Sequence, residues 1–307
     1  MPSMDVVLNQ ILVILLYVVI GYIAGKAGLV NPEQRRYLTR ICTNLILPFT
    51  IISASSQTVT GREMGSLALS AALMAGLFAL TTALSLWLMR RRNVPRARQV
   101  TTASLLTYPN LTFLGLPLCR ALFGEMAVLY NAAGLLAFNV LFFTWQAAMF
   151  TGGKFSLRSL LTPPMAATAL LVGLLALGWH LPDPVQTVAS STGAMITPLS
   201  LIIIGVMMSE NRLSAMLKER LAYSVTLLRN LVIPLIAIPL LLLVPVDGPD
   251  RLCLLIYLAC PCATLTSIYA IQDNMEPEYA ARSVLMSTLF FAASLPLMIL
   301  VGSRVFG

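Results

Sequence analysis

The sequence predicts an all-α membrane protein of ten transmembrane helices in two inverted five-helix repeats, with helices 4 and 9 broken and crossing near the bilayer midplane. Three observations predict it. The first is composition: 58% of the 307 residues are hydrophobic, only 10% are charged, and the mean hydropathy is +0.85. A soluble domain carries about a quarter charged residues, so the chain belongs to the integral membrane class. The second is the placing of the charges, which cut the sequence into uncharged runs of membrane-spanning length. The third is a set of matched prolines that recurs at a fixed offset between the two halves of the chain.

The uncharged runs cover 6–25, 41–61, 64–89, 99–119, 126–153, 159–182, 184–209, 230–246, 252–272 and 283–303. A bilayer core of about 30 Å needs roughly 20 apolar residues in a helix. The eighth run is short unless its helix extends back through Arg229 to about residue 221. The first run has no basic segment before it and no small-residue cleavage pattern after it, so it reads as a retained helix. Lysine and arginine orient the set. With the N-terminus outside, Lys26, Arg35, Arg36, Arg40, Arg90, Arg91, Arg92, Arg96, Arg98, Lys154, Arg158, Arg212, Lys218, Arg220 and Arg282 lie inside. Only Arg62, Arg120, Arg251 and Arg304 lie outside. The excess satisfies the positive-inside rule, and it places both termini on the outer side of a cytoplasmic membrane. The net charge of +8 is thus a topology signal. The cluster "RRRNVPRAR" at 90–98 is a short loop beside anionic lipid heads, and no nucleic-acid partner is expected.

The repeats come next. "AGLVNPEQRRYLTR" after helix 1 matches "WHLPDPVQTVASS" after helix 6, with Leu29 to Pro32 on Leu181 to Pro184. Pro48 in "NLILPFTII" of helix 2 matches Pro198 in "AMITPLSLI" of helix 7. In helix 4, "YPNLTFL" aligns with "CPCATLT" of helix 9, pairing Pro109 with Pro261 and Thr112 with Thr264. Repeats of five helices, an odd number, must enter the membrane in opposite senses. Interrupted helices at corresponding positions of inverted repeats point to a transporter site at the midplane.

The stretch "LLTYPNLTFLGLPL" at 105–118 has a physical reading on the same lines. Proline removes a helix hydrogen bond and clashes with the preceding turn. In lipid, freed backbone groups are tolerated only where protein buries them or a wet cavity solvates them. Half-helix N-termini carry partial positive charge and free N–H groups, a receptor for an anion that needs no buried basic side chain. The competing reading is a pair of merely kinked helices.

The chain is similar to the auxin efflux carrier family, which includes the plant PIN-FORMED carriers and bacterial permeases proposed for malate or malonate. "PNLTFLGLPLCRALFG" (109–124) resembles the family's fourth helix, and "LLRNLVIP" (227–234) its eighth. "ACPCATLTSIYAIQDNMEPEYAARSVLMSTLFFAASLPL" resembles its ninth and tenth, and "GLVNPEQRRYLTRICTNLILPFTIISA" its first loop and second helix. The resemblance implies a first repeat over 1–150, a short cytoplasmic linker over 151–163 and a second repeat over 164–307. It implies a scaffold of helices 1, 2, 6 and 7 that carries a homodimer contact, and a transport domain of helices 3–5 and 8–10. It further implies elevator-type secondary transport of a small organic anion, a carboxylate such as malate, malonate or an auxin-like acid. No enzyme activity and no cofactor are implied. The chain departs from the plant carriers at Cys262 and Ala263, which follow Pro261 where those carriers have glutamine and glycine. It also lacks their long cytosolic loop and the acidic residue early in helix 3, where Glu63 is the nearest carboxylate.

The candidate substrate-binding residues are therefore Asn110, Pro109, Thr112, Pro261, Cys262 and Thr264. Asn44, four residues before Pro48, either faces the substrate or bonds a neighbouring helix. Arg229 is either a functional cation or an interface arginine whose stem snorkels to the headgroups. Cys260 and Cys262 are either packed thiols or soft-metal ligands. The phosphorylated aspartate motif of metal-pumping ATPases does not occur, and the metal reading is the weaker one. His180, the one histidine, lies at an outer helix end. A channel or membrane sensor of the same fold is the alternative to a carrier. The five cysteines all fall in apolar stretches, so no disulfide framework is expected.

Overall fold

A computed structural model describes residues 4–152, 161–210 and 219–307, with the side chains of residues 4–8 and 11 left aside. Lys154, Arg158, Arg212, Lys218 and most of the expected linker, residues 153–160, lie outside the described residues. Among the described residues the chain is helical, and its only strand-like feature is an isolated antiparallel bridge between Pro109 and Cys262. Among the described residues, six helical stretches are long and apolar enough to cross a membrane: Pro32–Ser56, Gly61–Arg91, Glu125–Phe150, Asp183–Ser209, Arg220–Leu241 and Pro277–Phe306. Shorter apolar helices run over Leu12–Lys26, Leu111–Phe123 and Pro163–Leu177.

Local sequence explains where the elements begin and end. Helix α1 (Met4–Lys26) stops before the Gly28 turn, where φ is +73°. Asn31 then starts α2 (Pro32–Ile41) with a capping box: its side chain accepts from the Gln34 N–H at 2.8 Å, and its own N–H donates to Gln34 Oε1 at 2.9 Å. Pro32 occupies the first turn, where a missing N–H costs nothing. The second span therefore starts nine residues earlier than its uncharged run, because the polar, well-capped α2 feeds straight into it.

A π turn over Cys42–Ile46 joins α2 to α3 (Leu47–Ser53), and Leu47 N–H donates five residues back to Cys42. Pro48 follows two residues after the turn. It has no N–H for the ordinary bond, and the wider turn absorbs the mismatch. The same spacing recurs at Leu111–Gly115 before Pro117 and at Leu228–Val232 before Pro234.

The remaining elements follow in order. Helix α4 covers Gly61–Arg91, α5 Arg96–Thr107, α6 Leu116–Phe123, α7 Glu125–Leu141 and α8 Ala147–Phe150. Helix α9 (Pro163–Leu177) is shorter than its 159–182 run because Gly178, at φ +63°, adopts the left-handed C-cap and donates back to Leu174 and Leu175. Helices α10 (Asp183–Ala194) and α11 (Ile196–Ser209) come next. The eighth span runs back through Arg229 as α12 (Arg220–Leu227), the Leu228–Val232 turn and α13 (Ile233–Leu241). Helices α14 (Gly248–Ala259), α15 (Thr264–Gln272) and α16 (Pro277–Phe306) end the chain.

Contacts group the chain into two compact units, each drawn from both halves of the sequence. The first comprises Met1–Ala68, Thr112–Ala133 and Leu161–Arg212. Its helices approach with backbones in contact. A Cβ on Gly21 would lie 2.1 Å from the Ile202 carbonyl oxygen, and one on Gly205 would lie 2.0 Å from that of Val18. Small residues of this kind let membrane helices meet closely. Thr50 Oγ1 also donates to the Gly193 carbonyl at 3.0 Å, and Arg35 pairs with Glu210 at 2.7 Å.

The second unit comprises Leu69–Leu111, Gly134–Leu160 and Leu213–Gly307. Its core is aromatic around Tyr108, whose ring meets Phe138 and Phe142 edge-on with centroids 5.1 and 5.0 Å away. Arg98 pairs with Glu219 at 2.8 Å and lies over the Tyr279 ring.

Candidate functional site: two broken helices and a shared arginine

The second unit contains both breaks. Helix α5 ends at Thr107, and the chain continues through Tyr108, Pro109 and Asn110 before turning helical again at Leu111. Helix α14 ends at Ala259, and Cys260, Pro261, Cys262 and Ala263 lead into α15. The two irregular segments pair with each other. Asn110 N–H donates to the Pro261 carbonyl at 2.8 Å, and Ala263 N–H donates to the Tyr108 carbonyl at 2.9 Å. Two prolines that cannot donate thus sit in a short antiparallel bridge, and the N–H of the residue after Pro109 and of the second residue after Pro261 bond across it. This resolves the problem of irregular backbone in an apolar interior.

Side chains complete the arrangement. Asn110, 4% exposed, reaches Thr264 Oγ1 with its amide nitrogen at 3.4 Å. Thr264 is the first residue of α15, which begins on Ala263 with no side-chain cap on its first turn. Cys262 is fully buried, and its N–H donates to Ser287 Oγ at 3.1 Å. Ser104 and Thr266 share a hydrogen bond of 2.8 Å between the half-helices α5 and α15.

Arg229 holds the other ends of the same helices. Its Nη2 donates to Leu258 O at 2.7 Å and its Nε to Cys260 O at 3.1 Å. Its Nη1 donates to Leu106 O at 3.1 Å and Thr107 O at 3.3 Å. The side chain is 1% exposed. One guanidinium therefore caps the C-termini of both α5 and α14, where last-turn carbonyls lack intrahelical partners and the helix dipoles are negative. Arginine suits the task because its planar fork presents five donors in fixed directions and it stays charged. The snorkelling alternative for Arg229 is thereby corrected: the side chain turns into the protein because four carbonyls await it there.

Of the sequence-selected residues, the structure brings together Pro109, Asn110, Pro261, Cys262 and Thr264. Thr112 is half-buried in the turn that follows and groups with the first unit. Asn44 lies in the first unit, exposed, on the Cys42–Ile46 turn. Cys260 is buried beside Arg229. Among the described residues, no three His, Cys, Asp or Glu side chains gather as metal ligands would.

Comparisons with known proteins agree in kind. The family described as "Membrane transport protein" matches residues 6–154 and 149–299. An uncharacterized transporter of Methanothermobacter thermautotrophicus is 24% identical over 296 residues, spanning 94% of this chain and 96% of the relative. An uncharacterized transporter of Methanocaldococcus jannaschii is 23% identical over 305 residues, with the same coverage.

Proposed function

Because the chain belongs to the membrane transport protein family of the auxin efflux carriers, we propose that it is a secondary transporter for a small organic anion. The substrate is a carboxylate such as malate, malonate or an auxin-like acid. One observation carries the reading: Arg229 occupies the carbonyl ends of both broken helices. With those negative ends neutralised, the positive N-terminal ends of the continuing half-helices dominate the local field. Such ends attract a carboxylate, and the Asn110 amide, a neutral donor, adds a directional hydrogen bond without a second buried charge.

The mechanism proposed is elevator-type alternating access. Helices 1, 2, 6 and 7 act as the scaffold and as the homodimer contact, and helices 3–5 and 8–10 carry the site. The protein sits in the cytoplasmic membrane with both termini outside. The test is uptake into proteoliposomes of labelled mono- and dicarboxylates, with and without proton and sodium gradients. Saturable uptake of an acid, with a weakened affinity in Asn110→Ala while the protein remains folded, supports the reading. Uptake that never saturates and rises linearly with concentration overturns it in favour of a channel.

A further inference from the structure

Between α12 and α16 the second unit buries more oxygen atoms than it pairs. The anchor is Asn230, whose amide nitrogen donates to the Ser287 carbonyl at 3.0 Å. One helical turn before each of these residues stand Thr226 and Ser283. The helices that carry them pack against each other, and four residues of helix put Thr226 and Ser283 each about 6 Å along its own helix from the anchor. Thr226 is 3% exposed, and Asn230 and Ser283 are 0% exposed. Yet Thr226 Oγ1, Asn230 Oδ1 and Ser283 Oγ have no hydrogen-bond partner among the protein atoms. Three orphaned oxygens on one seam are unusual, because buried polar groups are almost always satisfied and an unmet one is costly.

The chemistry of the three atoms selects the occupant. Asn230 Oδ1 only accepts, so an anion is excluded and a donor is required. The two hydroxyls accept and donate, so they suit a ligand that does both. A cation meets opposition from the guanidinium of Arg229, the residue just before Asn230, and Thr226, Asn230 and Ser283 offer no carboxylate to offset it. A small neutral molecule with two donors and two acceptor sites remains.

We propose that Thr226, Asn230 and Ser283 form a binding site for a resident water molecule. The water donates to Asn230 Oδ1 and bridges the two hydroxyls. Ser287 connects this site to the crossing, since its hydroxyl accepts the Cys262 N–H at 3.1 Å and its carbonyl accepts the Asn230 amide. Buried waters typically make about three hydrogen bonds of this kind. The site holds exchangeable hydrogen-bonding capacity next to a backbone segment that must otherwise stay dry.

Thermal unfolding of the purified full-length protein gives a sign test, using Thr226→Val, Ser283→Ala and the double variant. A bridging water links the two hydroxyls. Each single change should therefore lower Tm, and the double change should lower it little further than the worse single one. A dry seam gives the opposite sign, because replacing an unpaired buried hydroxyl with a methyl group removes a desolvation cost. An unchanged or raised Tm, or losses that simply add, would overturn the proposal. Stabilisation by sodium over choline that disappears in Thr226→Val would overturn it in favour of a cation. Should the variants not fold, an experimental map of the wild-type protein at water-resolving resolution decides. Density within hydrogen-bond reach of Asn230 Oδ1 supports the site, and a clean void there refutes it.

Discussion

Replacing Arg229 with methionine keeps most of the side-chain volume and removes every donor. Four carbonyls, on Leu106, Thr107, Leu258 and Cys260, then lose their partner. The Thr107 contact, at 3.3 Å, is the weakest and is discounted. Stranding a buried acceptor costs about 1–3 kcal/mol, so three give roughly 3–9 kcal/mol. Polar contacts inside membrane proteins average nearer the bottom of such ranges, which favours about 3 kcal/mol. At roughly 2–4 °C per kcal/mol for a chain of this order, the loss of Tm is about 6–12 °C. Arg229→Lys retains the charge but not the fork, and one ammonium does not span both helix ends; it should recover part of the loss, not all. The assay is thermal unfolding of detergent-purified protein, followed by dynamic light scattering. A wild-type Tm in Arg229→Met would refute the double-cap reasoning, because it would mean the carbonyls find other partners at no cost.

Three further outcomes are expected. Asn110→Ala should weaken substrate binding by about 1–3 kcal/mol, the cost of an unmet buried partner, measured by calorimetry on folded protein; unaltered affinity would remove Asn110 from the site. Gly21→Ala should lower Tm by separating α1 from α11, since the new Cβ would meet a carbonyl oxygen at 2.1 Å and backbone cannot give way as a flexible side chain does; an unchanged Tm would show that the close packing is dispensable. In a cysteine-free background, a single cysteine at position 93, in place of Asn93, should resist membrane-impermeant thiol reagents added to intact cells; labelling from outside would reverse the orientation.

The breaks were legible from the sequence because Pro109 and Pro261 stand in uncharged runs where lipid forbids stray backbone groups. What the sequence could not convey was how the breaks are satisfied. Arg229 lies 123 residues from Leu106 along the chain, and no local pattern announces a guanidinium that serves two distant helix ends. A weak signal existed: it was the one charged residue interrupting an otherwise uncharged span. The π turns were hidden for a different reason. Pro48, Pro117 and Pro234 each follow one, whereas Pro239 and Pro296 lie inside ordinary helix. Proline removes a bond, but its presence alone does not tell where the ladder widens: the turn over Phe142–Gln146 widens with no proline after it. The early start of the second span at Pro32 was missed because charge-free length ignores an amphipathic first turn, although its Asn31–Gln34 capping box was written in the sequence.

The buried guanidinium also makes the protein an electrical object. If helices 3–5 and 8–10 travel as the elevator reading proposes, Arg229 travels with them, and the empty carrier moves one positive charge through the membrane field. A bound monoanion cancels that charge, so the loaded step is nearly silent to voltage and the empty return is not. A full crossing of the field is worth about 2.3 kcal/mol per charge at 100 mV, and an inside-negative potential would hold the unloaded carrier toward the cytoplasm. Transient currents on voltage steps should therefore appear in the absence of substrate, shrink as a monocarboxylate is added and change sign with a dicarboxylate dianion.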